Sequence, residues 1–370
     1  MTPATEPAES SDARPYEPAT APGHTHQPAH RHQDENENRA ECPAEDTAED
    51  APQDATQDAI QDARQDTTGN DAENANEYQH EYGHAERTSD KTFADPAPRL
   101  IATDLDGTLL RDDKTLSSRT IAALAAAEEA GVEVFFVTGR PARWMGVVAG
   151  HLAGHGMAIV SNGAAVYDLR SGTLLEAFPL PEDDALAVAH ALSEAVPGTT
   201  YAIERAFSFR REPGYPAYEA DTAEPRATID ALLADDREQP LLKLLASHPS
   251  VDPDEFLATA LSVAGAHGEI TRSSESALLE ISGPGVSKAT TLAKCCAERG
   301  VTAAEVVAFG DMPNDLAMLE WAGTSYAVAN AHPRVRAATT YRTESNDDDG
   351  VARVIERLIA ARRPGPGRPA

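Results

Sequence analysis

The chain has 370 residues and carries 61 Asp and Glu against 31 Lys and Arg, a formal net charge of −30 at pH 7. That length allows two or three domains of roughly 100–200 residues each, and so acidic a balance argues against a nucleic-acid partner. Three cysteines, Cys42 and the adjacent Cys295 and Cys296, exclude a disulfide framework.

The acidity is uneven. Residues 1–95 hold 23 acidic and 6 basic residues, so more than half of the net charge lies in the first quarter. This segment is nearly free of Leu, Ile, Val, Phe and Trp and rich in Ala, Pro, Gln, Asn, Asp and Glu. It cannot bury enough apolar surface to offset the entropy of ordering it, and a disordered acidic tail is expected. QDATQDAIQDARQD (53–66) repeats with a period of four and reads as low-complexity, solvated chain. His24, His26, His30 and His32 could bind a transition metal loosely, but nothing nearby fixes a geometry, and they are read as part of the polar tail. MTPATEPAES has neither the basic nor the apolar region of a signal peptide. VEVFFV (132–137) is interrupted by Glu133 and is far short of the roughly 20 residues of a membrane span. A cytoplasmic protein with no membrane partner is expected.

From Arg99 onward strands and helices alternate. Leu100–Thr103 reads as a strand. A helix follows over 117–130, with Ser117 or Ser118 as N-cap and Gly131 just past its end. VEVFFV is a buried strand, and a helix over 141–152 opens at Pro141. MAIVSNG (157–163) is a strand ending in a turn. Between about 166 and 280 the rhythm changes. TTYAIERAFSF (199–209) and PLLKLLAS (240–247) have strand character among helical stretches, which predicts an inserted α/β domain with its ends at Asn162–Gly163 and near Ile281. The rhythm then returns: helix Val286–Arg299 closed by Gly300, strand VVAFG (306–310), short helix Pro313–Trp321, strand Ser325–Val328 and helix Gly350–Ala361, before a frayed tail over 363–370. Strands spaced by helices of this length predict right-handed crossovers and a mostly parallel sheet.

Ligands bind such sheets at the carboxyl ends of the strands. In IATDLDGTLL (101–110) the first strand ends in Asp104 and Asp106. Two positions apart on extended chain, both side chains point the same way, which is costly unless a cation lies against them. Further strand ends carry Thr138-Gly139-Arg140, Ser161-Asn162-Gly163 and the run from Gly310 through Asp311 and Asn314 to Asp315, and Lys288 begins the helix after SGPGVS. Carboxylates of this kind suit Mg²⁺ with waters and a substrate phosphate. Thr138, Lys288 and backbone N–H groups suit a phosphoryl group.

DLDGT, TGR, the downstream lysine and GDMPND together resemble the haloacid dehalogenase superfamily of phosphohydrolases. SNGA (161–164), EISGPGVSK (280–288) and SNDDDGVA (345–352) resemble its Cof-type (type IIB) branch, and the resemblance covers roughly residues 98–362. It implies an α/β fold: a Rossmann-like doubly wound parallel sheet over 96–165 and 281–362, with a C2-type α/β cap over 166–280. It implies a Mg²⁺-dependent phosphoric monoester hydrolase acting on a small phosphorylated metabolite, as a monomer or homodimer. Asp104 would attack phosphorus to form an aspartyl-phosphate. Asp106 would protonate the leaving oxygen and then activate water. Mg²⁺ would be held by the Asp104 carboxylate, the Asp106 backbone carbonyl and Asp311, with Asp315 supporting or ligating. Thr138, Gly139 and Lys288 would hold the phosphoryl oxygens, with Asn314 orienting Lys288 or the phosphate.

Other residues keep two readings. Arg140 could meet substrate or a neighbouring carboxylate. Asn162 and Gly163 could contact substrate or only turn the chain into the cap. In the cap, Arg205, Arg210, Arg211 and Lys243 could meet a second anionic group, and Tyr201, Phe207 and Phe209 could stack on a ring; surface charge and core packing explain them as well. Trp144 and Trp321 read as core or hinge packing. Two rival functions are a phosphomutase, which would return the phosphoryl group to substrate, and a non-catalytic binding module.

Overall fold

The computed structural model describes residues 97–150, 156–216, 227–274 and 276–362. The expected acidic tail with its histidines and Cys42, and the segment 363–370, lie outside these residues. Among the described residues no helix is long and apolar enough to cross a membrane.

The first half of the larger layer builds in chain order. Strand β1 (Leu100–Thr103) is buried along its whole length. Helix α1 (Ser118–Glu129) starts where the Ser117 hydroxyl accepts the Thr120 N–H at 2.9 Å, and the chain leaves it through Gly131, at φ +73°. Strand β2 (Glu133–Val137) buries everything after Glu133. The helix expected over 141–152 is not continuous. A 3₁₀ turn at Ala142–Trp144 is followed by the single-turn helix α2 (Gly146–Ala149). Gly146 and Gly150 sit where a continuous helix would need side chains that restrict the backbone, and each glycine costs about 1 kcal/mol in a helix interior. Strand β3 (Met157–Val160) then runs parallel to β2, and β4 (Ala165–Asp168) and β5 (Thr173–Ala177) add antiparallel to its far side.

The cap sheet comes next. Helix α3 (Glu182–Ala195) precedes strands β6 (Thr200–Arg205) and β7 (Phe209–Arg211), then helix α4 (Ile229–Ala234), strand β8 (Leu241–Ser247), helix α5 (Pro253–Ala264) and strands β9 (Glu269–Thr271) and β10 (Leu278–Ser282). These strands pair antiparallel in the order β7-β6-β8-β10-β9. The boundaries expected at 166 and 280 therefore move. Residues 165–177 form an edge hairpin of the larger sheet, and β10 closes the cap sheet at Ser282.

Helix α6 (Lys288–Glu298) returns the chain to the larger layer, followed by β11 (Val306–Gly310), α7 (Leu316–Trp321), β12 (Thr324–Ala327), α8 (Pro333–Ala338), β13 (Tyr341–Arg342) and α9 (Gly350–Arg362). The eight strands lie in the order β13-β12-β11-β1-β2-β3-β4-β5. All are parallel from β13 to β3, so β1 sits between β11 and β2, with Leu100 paired to both Val306 and Glu133. The fold class is α/β, and the carboxyl end of β1 lies at the centre of the sheet.

Alternation in the cap strands decides what faces the site. Tyr201 and Ile203 of β6, Leu244 and Ala246 of β8, and Leu279 and Ile281 of β10 join α3 and α5 in one apolar core. Ala202, Glu204, Lys243, Leu245, Leu278 and Glu280 point the other way.

Candidate active site

Asp104 is the first residue after β1. Its N–H donates to the Phe309 carbonyl of β11 at 3.0 Å, so the sheet's own ladder positions it. The residue is only 5% exposed. Lys288, the first residue of α6, sends its Nζ to Asp104 Oδ1 and to Asp315 Oδ1, at 2.6 Å each. Asp315 is fully buried, and its Oδ2 accepts the N–H groups of Asp311 (3.0 Å) and Met312 (3.1 Å). Asp311 Oδ1 accepts the Thr108 hydroxyl at 2.7 Å. Carboxylate oxygens of Asp104, Asp311 and Asp315 lie within 4.8 Å of one another.

Burial pushes the Asp104 carboxyl well above the usual range against the pull of Lys288, and Asp315 and Asp311 add to the rise. Burial, then the charge of Asp315, pushes Asp311 up to about 7. Burial works against the Lys288 ammonium, but Asp104 and Asp315 outweigh it and hold its pKa above the ordinary lysine value. One ammonium among three buried carboxylates leaves the cluster short of positive charge. Hard oxygen donors this close together fit a hard divalent cation. Gly107, at φ +73°, lets the turn close on the cluster, since a Cβ there would stand 2.4 Å from Asp311 Oδ2. Asp315 has both oxygens occupied as a strut for Lys288 and the 311–312 backbone. Asp104 and Asp311 are therefore the carboxylates best placed to hold an ion.

The Asp106 side chain is not in that cluster. Arg140 grips it with Nε (2.6 Å) and Nη2 (2.7 Å), and Lys114 Nζ lies 3.1 Å away. Burial would raise its carboxyl, but the hydrogen bond and charge of Arg140, then Lys114, bring it below the usual range. Of the two readings for Arg140, the carboxylate partner is the one present. Lys114 was not singled out from sequence, because it lies in a loop that carries no periodic signal.

Thr138 is buried, and its hydroxyl accepts the Arg140 N–H at 3.1 Å, shaping the turn. The Gly139 carbonyl accepts Lys243 Nζ at 2.8 Å. Lys243 also donates to Glu280 Oε1 at 2.8 Å, and Glu280 Oε2 accepts Asn162 Nδ2 at 3.0 Å. Asn162 Oδ1 accepts Asn314 Nδ2 at 3.2 Å. Asn162 and Asn314 therefore tie the cap glutamate to the 310–315 loop, and Asn314 does not bond Lys288. Gly163 has a docking role. At φ +106° it lets α6 approach so closely that a Cβ would stand 2.3 Å from the Ser287 carbonyl oxygen, and Thr291 Oγ1 donates to its carbonyl at 2.8 Å. The signal for Glu280 was present in EISGPGVSK, the same run that ends in Lys288, but no role follows from that position alone.

Core and cap enclose a cleft of about 420 Å³ that both Asp104 and Asp106 line. Phe209 and Lys243 reach it from the cap, and Trp144 reaches it from the core. Tyr201 does not; it faces the helices and donates to the Ala189 carbonyl at 2.8 Å. Arg205 is buried against Glu182 at 2.8 Å, Arg210 lies 4.0 Å from Asp235, and Arg211 donates to the Tyr215 carbonyl. Phe207 is 58% exposed outside the cleft. Trp321 packs on the core of the larger layer, and Cys295 and Cys296 are buried on α6.

The profile of the haloacid dehalogenase-like hydrolase family matches residues 101–355. Pyridoxal phosphate phosphatase YbhA of Escherichia coli is 34% identical over 272 residues, 70% of this chain and 97% of that protein. The 5-amino-6-(5-phospho-D-ribitylamino)uracil phosphatase YcsE of Bacillus subtilis is 30% identical over 261 residues, 70% of this chain and 96% of that protein. Among solved structures, a haloacid dehalogenase-like hydrolase from Bacteroides thetaiotaomicron superposes with a TM-score of 0.59 at 28% identity, covering 70% of this chain and 99% of its own.

Proposed function

This chain belongs to the haloacid dehalogenase-like hydrolases, and we propose that it is a Mg²⁺-dependent phosphatase that hydrolyses a small phosphorylated metabolite through an aspartyl-phosphate on Asp104. The observation that carries this reading is the convergence, at the end of the central strand, of Lys288 and Asp311 on Asp104, which lines a cleft together with Asp106. Relatives named for pyridoxal phosphate and for a ribitylaminouracil phosphate support a small monoester as substrate.

Asp104 and Asp311 would hold the ion, which when bound supplies charge neutralisation at the phosphoryl oxygens. The other roles fall to residues of the chain. Lys288 favours the ionised form of Asp104 against its burial and balances charge on the phosphoryl group as it transfers. In the first half-reaction the Asp104–phosphorus bond forms, the ester P–O bond breaks, and the leaving oxygen takes a proton from Asp106. In the second, water attacks phosphorus, Asp106 takes back a proton, and the Asp104 carboxylate is released. Arg140 and Lys114 favour ionised Asp106, the form that the second half needs. For the first half they would turn toward the incoming phosphate dianion and relax their hold on that carboxylate.

The test is phosphate release from p-nitrophenyl phosphate with and without Mg²⁺, comparing the wild type with Asp104→Asn. We expect turnover only with Mg²⁺ and a loss on the order of 10⁴-fold or more in the variant. Equal rates in the two proteins would refute the assignment.

A further inference from the structure

We infer that the cleft selects monophosphates whose leaving group carries no second charge and presents a flat apolar face; the inference rests on the phosphatase reading above. It starts from charge. Among the described residues, each cation lining the cleft already faces a carboxylate. Arg140 and Lys114 hold Asp106. Arg143 Nη1 lies 3.5 Å from Glu204 Oε2. Lys243 bonds Glu280 at 2.8 Å and stands opposite Glu204 in the β6–β8 register. Strand alternation produces this arrangement, because Glu204, Lys243 and Glu280 all occupy the cleft-facing positions of three neighbouring strands. The two cap carboxylates, Glu204 and Glu280, are thus matched by two cations, Lys243 of the cap and Arg143 of the core.

Much of the rest of the wall is apolar. Phe209, Tyr215, Leu245 and Leu278 come from the cap, with Trp144 and Met312 from the core. Arg143 lies over Phe209 and Trp144, 5.1 and 5.4 Å from their ring centres, so guanidinium and rings form one cation–π group at the wall, against which a flat leaving group can lie. A second phosphate or carboxylate on the leaving group would have to displace a buried carboxylate from its cation or lie unpaired against hydrocarbon, and both are costly. A planar ring would instead stack. Uncharged polar substituents have hydroxyl and amide neighbours in Ser273, Ser274 and Asn314.

Three probes separate charge from shape: benzyl phosphate, 4-carboxybenzyl phosphate and cyclohexylmethyl phosphate, each assayed for kcat/KM with Mg²⁺ on the full chain. Benzyl phosphate should exceed its carboxylate analogue by about tenfold or more, the effect of leaving one charge unpaired, and should exceed the cyclohexyl compound several-fold. Glu204→Gln, which removes a carboxylate from Arg143, should narrow the first gap. If the carboxylate analogue matches benzyl phosphate in the wild type, charge selection is wrong; if the cyclohexyl compound matches it, the flat wall is wrong. Either result leaves the phosphatase reading standing. If none of the three is hydrolysed and p-nitrophenyl phosphate is also inert, the phosphatase reading itself falls, and this inference with it.

Discussion

In metal-free protein, stability should fall as pH rises through the range in which Asp311 ionises. Its carboxyl is pushed up to about 7 by burial first, then by Asp315 and Asp106, against the Thr108 hydrogen bond and the charge of Lys288. In the unfolded chain an aspartate titrates near ~3.9. The native state therefore binds this proton more tightly than the unfolded state does. The stability it contributes is fully present below about pH 4 and is lost as pH rises through 7. At about 1.4 kcal/mol per pKa unit, the three-unit difference amounts to about 4 kcal/mol, with a slope of about 1.4 kcal/mol per pH unit between 5 and 7. Asp104, raised for the same first cause, acts in the same direction. Asp106 and Glu280 are held low by their cations and change protonation below this window.

The assay is urea unfolding followed by fluorescence of Trp144 and Trp321, in EDTA, at half-unit steps from pH 5 to 8. Wild type should lose stability across the window, and Asp311→Asn should flatten the slope and be the more stable protein at pH 8. Excess Mg²⁺ should restore the wild type at pH 8 by about 2.7 kcal/mol at a hundredfold excess over its Kd, and should do little for the variant. A wild-type slope in EDTA that is flat or rising, or one that Asp311→Asn leaves unchanged, would refute the reasoning.

Lys288→Met leaves Asp104 and Asp315 buried without their shared cation, and it should cost about 3–5 kcal/mol at neutral pH, read by urea unfolding, along with nearly all phosphatase activity. Gly163→Ala, at φ +106° and in collision with the Ser287 carbonyl, should cost about 1–3 kcal/mol and lower kcat by moving α6, whereas Gly131→Ala, with open space around it, should lower stability and leave kcat unchanged. Arg140→Gln should let the Asp106 carboxyl rise toward its ordinary value, so the limb of kcat/KM on which activity falls as Asp106 loses its proton moves to higher pH; a limb that stays in place would separate Asp106 from that ionisation.

The placement of much of the candidate site was legible because strand-end chemistry is local. Asp104, Thr138 and Asp311 each follow a short apolar run directly, so identifying the strand also places the residue. Lys288 was legible for a similar reason, since Ser287 caps the helix that begins with it. Asp106 shows where local reading stops. Its partners Arg140 and Lys114 come from different loops, and only the folded chain shows that its side chain leaves the acidic cluster for the cleft wall.

The cap was harder to read for a reason visible in TTYAIERAFSF. As one strand, alternation puts Tyr201, Phe207 and Phe209 on a single face. The chain instead turns at 206–208, where Arg205 N–H bonds the Ser208 carbonyl at 2.9 Å, and Glu204 comes to pair with Phe209. Parity is reset across the turn. Tyr201 goes to the helices, Phe207 to the surface and Phe209 to the cleft. Glu204 reaches the cleft by alternation within β6, on the face opposite Tyr201 and Ile203, and its two cationic neighbours, Arg143 and Lys243, come from segments far from it in the chain. The neutrality of the cap wall is therefore a property of register between strands. A one-residue slip in β6 would take Glu204 out of the cleft and leave Arg143 facing the substrate with its charge uncompensated by that carboxylate. Selectivity of this kind is set by the hairpin that fixes the register as much as by the residues that line the cleft.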